Sequence, residues 1–175
     1  RRTFLLFSDM KGAKVWEKIG IYEKKYRKKW KGPDCPIYIF PANIRPFRGR
    51  SGKNGFTYPD KLFLFIADPK DEKGLEALLI HEYHHMARMA KIGKPIEEYT
   101  LLDSLIMEGL AEHAVREYLG EKYVDPLVIS YGQRPLWYWV RYYREKSNLS
   151  ISDPLHDEFL FGRIFGKPKL GYAIG

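Results

Sequence analysis

Residues 81–85 read His-Glu-Tyr-His-His. His81 and His85, four apart, fall on one face of a helix, about 40° from each other around its axis. Two imidazole nitrogens so placed can reach one ion at about 2.0–2.1 Å. Glu82 follows the first histidine, close enough to take a proton from a water held by that ion. His81-Glu82-x-x-His85 is therefore the H-E-x-x-H pattern of zinc hydrolases, with His81 and His85 as metal ligands and Glu82 as general base. His84 lies roughly 100° from His85 and points elsewhere; the alternative, a His81/His84 pair at i, i+3, would leave Glu82 without its role.

Catalytic zinc normally keeps three protein ligands and one open position. The third ligand is sought in residues 96–119, which are helical by pattern and apolar over most of their circumference. Glu108 and Glu112 share an arc there with Leu101, Leu105, Ala111, Val115 and Leu119. Two carboxylates on an apolar arc demand partners. Zinc is the partner expected for Glu108; the alternative is a buried ion pair with Arg88 or Arg116. Glu112, one turn on, is placed to orient a ligating histidine through its second ring nitrogen. His113 sits about 140° round from Glu108 and is not expected to share the ion.

Several elements must hold these groups. Residues 68–92 read as the metal helix, with Asp68-Pro69 as its start and Gly93 and Pro95 as its stop. Leu75, Leu78, Leu79, Met86 and Met89 form its apolar stripe, with Glu82 at the edge. Residues 36–40 (PIYIF) and 61–67 (KLFLFIA) read as strands. The second precedes the metal helix directly. It suits an edge strand that bonds an extended substrate, an ordinary core strand, or both together. Residues 45–53 are rich in Gly and Arg and read as a loop. Residues 11–30 read as a helix with Val15, Trp16, Ile19, Tyr22, Tyr26 and Trp30 on one stripe.

After Gly120 the pattern is helical and aromatic. Residues 135–146 form a predicted helix whose Trp137, Tyr138, Trp139, Tyr142 and Tyr143 read as core. Asp153-Pro154 opens another over residues 155–165, which carries His156. A developing oxyanion gains from a second donor. His156, oriented by Asp153 or Asp157, is the first candidate, and Tyr131 the second.

The run of a metal-helix motif and a glutamate on a second helix resembles the gluzincin metallopeptidases. Glu108-Gly109-Leu110-Ala111 is similar to the glutamate segment N-E-G-F-A of one aminopeptidase family in that class. HEYHH, TLLDSLIMEGLAEHAV, FLFG and GYAIG together more closely resemble the YjaZ-like family of predicted bacterial zinc-dependent proteases, over roughly residues 60–175. The resemblance implies a zincin-like fold, with Zn2+ on His81, His85 and Glu108 and Glu82 as base. It also implies that GYAIG runs on into further helix.

Length and charge bound the remainder. The chain has 175 residues, 45% of them hydrophobic, which suits one domain over residues 1–175 with a real core. The first residue is not Met, so chain upstream is expected, and GYAIG points to more beyond it. No stretch approaches a membrane span, and no signal-peptide pattern is present. The sole cysteine, Cys35, argues for no disulfide, and a cytoplasmic location is the expectation. Residues 1–60 carry fifteen Lys/Arg against five Asp/Glu, a net of +10, and the rest nets −2. The basic run 24–31 is a solvated helix face or a weak polyanion contact.

The reading is thus an α+β fold: a small mixed sheet packed on the metal helix, with a mostly helical C-terminal half. Its chemistry is peptide-bond hydrolysis by a Glu-activated, zinc-bound water. The rivals are a zinc hydrolase of another amide, and a basic nucleic-acid or partner-binding module whose histidines are structural.

Overall fold

Alternation in Lys61–Ile66 puts Leu62, Leu64 and Ile66 on one face and Phe63 and Phe65 on the other. The first three are fully buried. In the computed structural model, which describes residues 2–42 and 53–175, this segment is the central strand of a three-stranded mixed sheet. The strands are β1 (Ile37–Pro41), β2 (Lys53–Tyr58) and β3 (Lys61–Ile66), in the order β1-β3-β2. β1 runs parallel to β3 and β2 antiparallel to it. Of the two readings of residues 61–67, the core strand therefore holds; the edges beside it are β1 and β2, and β2 has no counterpart among the predicted strands. The predicted loop 45–53 lies, apart from Lys53, outside the described residues.

Chain contacts gather into two compact units, Arg1–Ile92 with Ala114–Tyr123, and Gly93–His113 with Val124–Gly175. In the first unit, α1 (Arg2–Gly12) and α2 (Val15–Trp30) replace the single predicted helix. Lys14 takes a left-handed conformation, φ 54°, and breaks the run. α2 buries Val15, Ile19, Glu23 and Tyr26 at helical spacing and packs on α3 (Glu72–Ile92). α3 also packs on β2 and β3. Its cap is Asp71, whose Oδ1 accepts from the Gly74 amide at 2.9 Å, rather than Asp68. Gly93 ends the region at φ 66°, a left-handed angle that glycine adopts without cost.

A buried carboxylate ties these helices. Glu76 accepts from Lys25 Nζ at 2.7 Å, Tyr26 Oη at 2.9 Å and Lys73 Nζ at 2.9 Å. Burial alone would raise its pKa, but the three hydrogen bonds outweigh burial and hold it below the ordinary carboxylate value. Lys29 covers the Tyr118 ring at 4.3 Å. On the far side of the sheet, Tyr38, Phe40, Phe56 and Tyr58 stay exposed beside Phe63 and Phe65, as stacked and edge-to-face pairs. Burial, with Glu23 and Asp34 nearby, pushes the Cys35 thiol up to about 11, so it stays protonated near neutrality.

The second unit is helical. α4 (Leu101–Leu119) begins in it and ends in the first. A reciprocal cap opens α4, with the Thr100 amide donating to Asp103 Oδ2 at 2.9 Å and the Asp103 amide to Thr100 Oγ1 at 3.4 Å. Two further free amides, Leu101 and Leu102, donate to the carbonyls of Leu149 and Ser147. There follow α5 (Pro126–Ser130), α6 (Arg134–Tyr138), α7 (Pro154–Leu160) and α8 (Leu170–Ile174). Leu101, Leu105, Tyr143, Phe159, Leu160 and Leu170 make the core.

The aromatic helix predicted over 135–146 is interrupted. Residues 139–143 form a wide π turn, and 144–146 a tight one. Tyr143 is buried, whereas Trp137 is 57% exposed and Tyr142 is exposed too, so only part of that aromatic set is core. Gly162, at φ 67°, ends α7 short of the predicted 165. Gly109 of α4 meets the backbone of Gly175 so closely that a Cβ at position 109 would fall on it. Among the described residues no helix is long and apolar enough to cross a membrane.

Candidate metal centre

α3 carries His81, Glu82 and His85. The helix is buried almost all round from Gly74 to Ile80, so its register against the sheet is fixed before the histidines are reached. His85 and Glu82 are buried and His81 is half-buried. The two imidazole rings stand edge to face with centroids 4.7 Å apart. His84 turns away, as its spacing requires, and meets Trp30 edge-on at 5.3 Å.

His81, His85 and Glu108 each offer one ligand atom, and these atoms all lie within 4.8 Å of one another. Donors on one tetrahedral ion stand about 3.4 Å apart, a separation within the spread of this group. Two imidazoles and a carboxylate are a donor set that zinc accepts and that leaves a fourth position open. The residues therefore fit the metal. His113 is exposed and outside the group. Arg116, one alternative partner for Glu108, pairs with Glu121 at 3.7 Å.

Glu82 is set by β2. Thr57 Oγ1 lies 2.6 Å from Glu82 Oε2 and 3.0 Å from its carbonyl oxygen. A Cβ built on Gly55 would come 2.5 Å from Glu82 Cγ and Cδ. Neither residue was marked by sequence reasoning. The available signal was the hairpin: Phe56-x-Tyr58, then Pro59-Asp60, then a strong strand.

The remaining predicted residues are placed as follows. Glu112 is buried and its Oε2 accepts from the Asp125 amide at 3.0 Å. His156 is 1% exposed. Its Nε2 meets Ser104 Oγ at 2.9 Å, and its Nδ1 meets Asp157 Oδ1 at 3.0 Å. Tyr131 donates its hydroxyl to the Pro168 carbonyl at 2.7 Å. Both ring nitrogens of His156 and the hydroxyl of Tyr131 are thus engaged by neighbouring groups. Ser104 is the partner that sequence reasoning missed for His156.

A profile of the family described as "Predicted Zn-dependent protease (DUF2268)" matches residues 15–175. Among curated proteins, the chain is 37% identical over 161 residues to "Uncharacterized protein YjaZ" of Bacillus subtilis (strain 168), covering 87% of this chain and 60% of that one. It is 27% identical over 110 residues to "Uncharacterized protein YjfC" of the same organism, covering 58% of this chain and 37% of that one. The chain thus spans less than two thirds of the length of the curated relatives it matches. No solved structure matches it. A match that runs from residue 15 to the last residue, over the helices that carry His81, His85 and Glu108, places the chain in the YjaZ-like family of predicted Zn-dependent proteases.

Proposed function

We propose that the chain is a zinc-dependent peptidase of zincin-like fold. The observation that carries the reading is the His81, His85 and Glu108 group with Glu82 next to its first ligand. A zinc ion held there would lower the pKa of water toward neutrality and polarise a substrate carbonyl. The protein's own groups do the rest. His81, His85 and Glu108 hold the ion. Glu82 takes the proton of the attacking water and delivers it to the leaving amine. β2, the edge strand against α3, offers its outer backbone to an extended peptide, in place of the strand first considered. Hydrolysis of another amide by the same groups is the nearest competing reading.

Metal analysis tests it. The parent chain should hold about one zinc, and Glu108→Ala and His81→Ala should lose it. Zinc at about a hundred times its dissociation constant should raise the melting temperature by about 5–10 °C. A quenched-fluorescence peptide library should be cleaved only by the zinc-loaded parent. Zinc retained in full by Glu108→Ala would overturn the ligand set. Cleavage of non-peptide amides alone would favour the competing reading.

A further inference from the structure

Residues two apart on a strand share a face, so Gly55 and Thr57 both look toward α3, while Phe56 and Tyr58 are exposed. What they look at is one side chain. Thr57 Oγ1 is 2.6 Å from Glu82 Oε2. A Cβ on Gly55 would stand 2.5 Å from Glu82 Cγ and Cδ and 2.6 Å from Oε1. Any residue but glycine at 55 would therefore occupy the volume of the Glu82 carboxylate. A hydroxyl has one hydrogen to give, and the carboxyl oxygen at 2.6 Å is the nearer acceptor, the carbonyl lying at 3.0 Å.

The consequence is directional. Glu82 is 7% exposed, and its three side-chain torsions would otherwise let the carboxylate turn. The hydroxyl pins Oε2 to the strand, and the gap at 55 receives the carboxylate on its Oε1 side. We propose that Thr57 and Gly55 are positioning residues for Glu82: Thr57 fixes Oε2 and Gly55 vacates the adjoining space, so that the carboxylate accepts its proton from one fixed orientation. The chemical half of this rests on Glu82 as proton acceptor; the positional half does not.

Thr57→Val removes the hydroxyl and keeps the shape, and Thr57→Ser keeps the hydroxyl. Crystal structures of the parent and of both variants of the full chain read the position directly. The parent and Thr57→Ser should hold Glu82 in one rotamer bonded to residue 57. Thr57→Val should spread it over two or more, and Gly55→Ala should expel it. In peptide hydrolysis, Thr57→Val should lower kcat about 10–100-fold with KM within about twofold, zinc content unchanged, and Thr57→Ser should restore kcat to within about threefold of the parent. A parent crystal in which Thr57 does not meet Glu82, or an unchanged Glu82 rotamer in Thr57→Val, overturns the proposal whatever the rate. If the parent cleaves no peptide, the peptidase reading falls while the rotamers still decide the role of Thr57. If Thr57→Val does not fold, the parent and Thr57→Ser crystals decide it.

Discussion

A glutamate and a glutamine have almost the same shape, but only the glutamate can take a proton at neutral pH. Glu82→Gln should therefore abolish hydrolysis, by a factor of about 10³ or more, while the melting temperature and zinc content stay near those of the parent. Activity within a few-fold of the parent would show that Glu82 is not the base. At this scale the sequence was legible wherever chemistry follows local spacing. His81 and His85 are fixed by a four-residue interval, and Glu108 was found as a carboxylate on an apolar arc. Thr57 and Gly55 were not legible, because they meet Glu82 from a strand 25 residues away in sequence. His156 is legible as a donor only by its residue type and the aspartates beside it. Its partners, Ser104 and Asp157, come 52 residues and one residue away, and only the first is beyond local reasoning.

At the scale of elements, Glu76 is the clearest lever, since it joins α2 to α3 through Lys25, Tyr26 and Lys73. Its folded pKa lies below the ordinary 4.5. A depressed carboxylate stabilises the fold above its unfolded pKa and loses that contribution as pH falls through the lower folded value. Stability should thus decline on the acid side of about 4.5. Glu76→Gln should cost on the order of 1–2 kcal/mol at neutral pH and flatten that decline, as measured by urea unfolding at pH 7 and pH 4. Unfolding curves with the same acid slope in parent and variant would remove Glu76 from the linkage. The long, strongly periodic helices were readable from sequence. Their ends were not: the break at Lys14 is a backbone angle with no side-chain signature, and Asp68 and Asp71 are equally good caps on paper. β2 escaped because Lys-Asn-Gly at its start reads as turn chemistry. Those residues are strand only because β3 supplies their hydrogen bonds.

For the whole molecule, the net charge of +8 hides the concentration of cations before residue 61. The basic run of α2 reads as a solvated face or a weak polyanion contact, and within it Lys25 is committed to Glu76 and Lys29 to Tyr118. Lys24 and Lys28 are the residues to change without touching those contacts. Lys24→Gln with Lys28→Gln should leave turnover of a short neutral peptide within about twofold. Any binding to heparin should weaken and should fall with added salt. Loss of peptide turnover in a folded double variant would bring α2 into the active site. The expectation of one domain rests on length and apolar content, and neither carries a record of how chain contacts gather.

The close approach of Gly109 to Gly175 reverses an ordinary rule of helix engineering. Alanine is favoured over glycine in a helix interior by about 1 kcal/mol, so Gly109→Ala in the middle of α4 should stabilise on propensity alone. Here the added methyl would land on the backbone of the last residue, which cannot yield as a flexible side chain does. The substitution should instead lower the melting temperature and speed amide hydrogen exchange across residues 105–109, one turn of the helix that presents Glu108. A variant that melts higher than the parent would mean that the two backbones do not touch in solution.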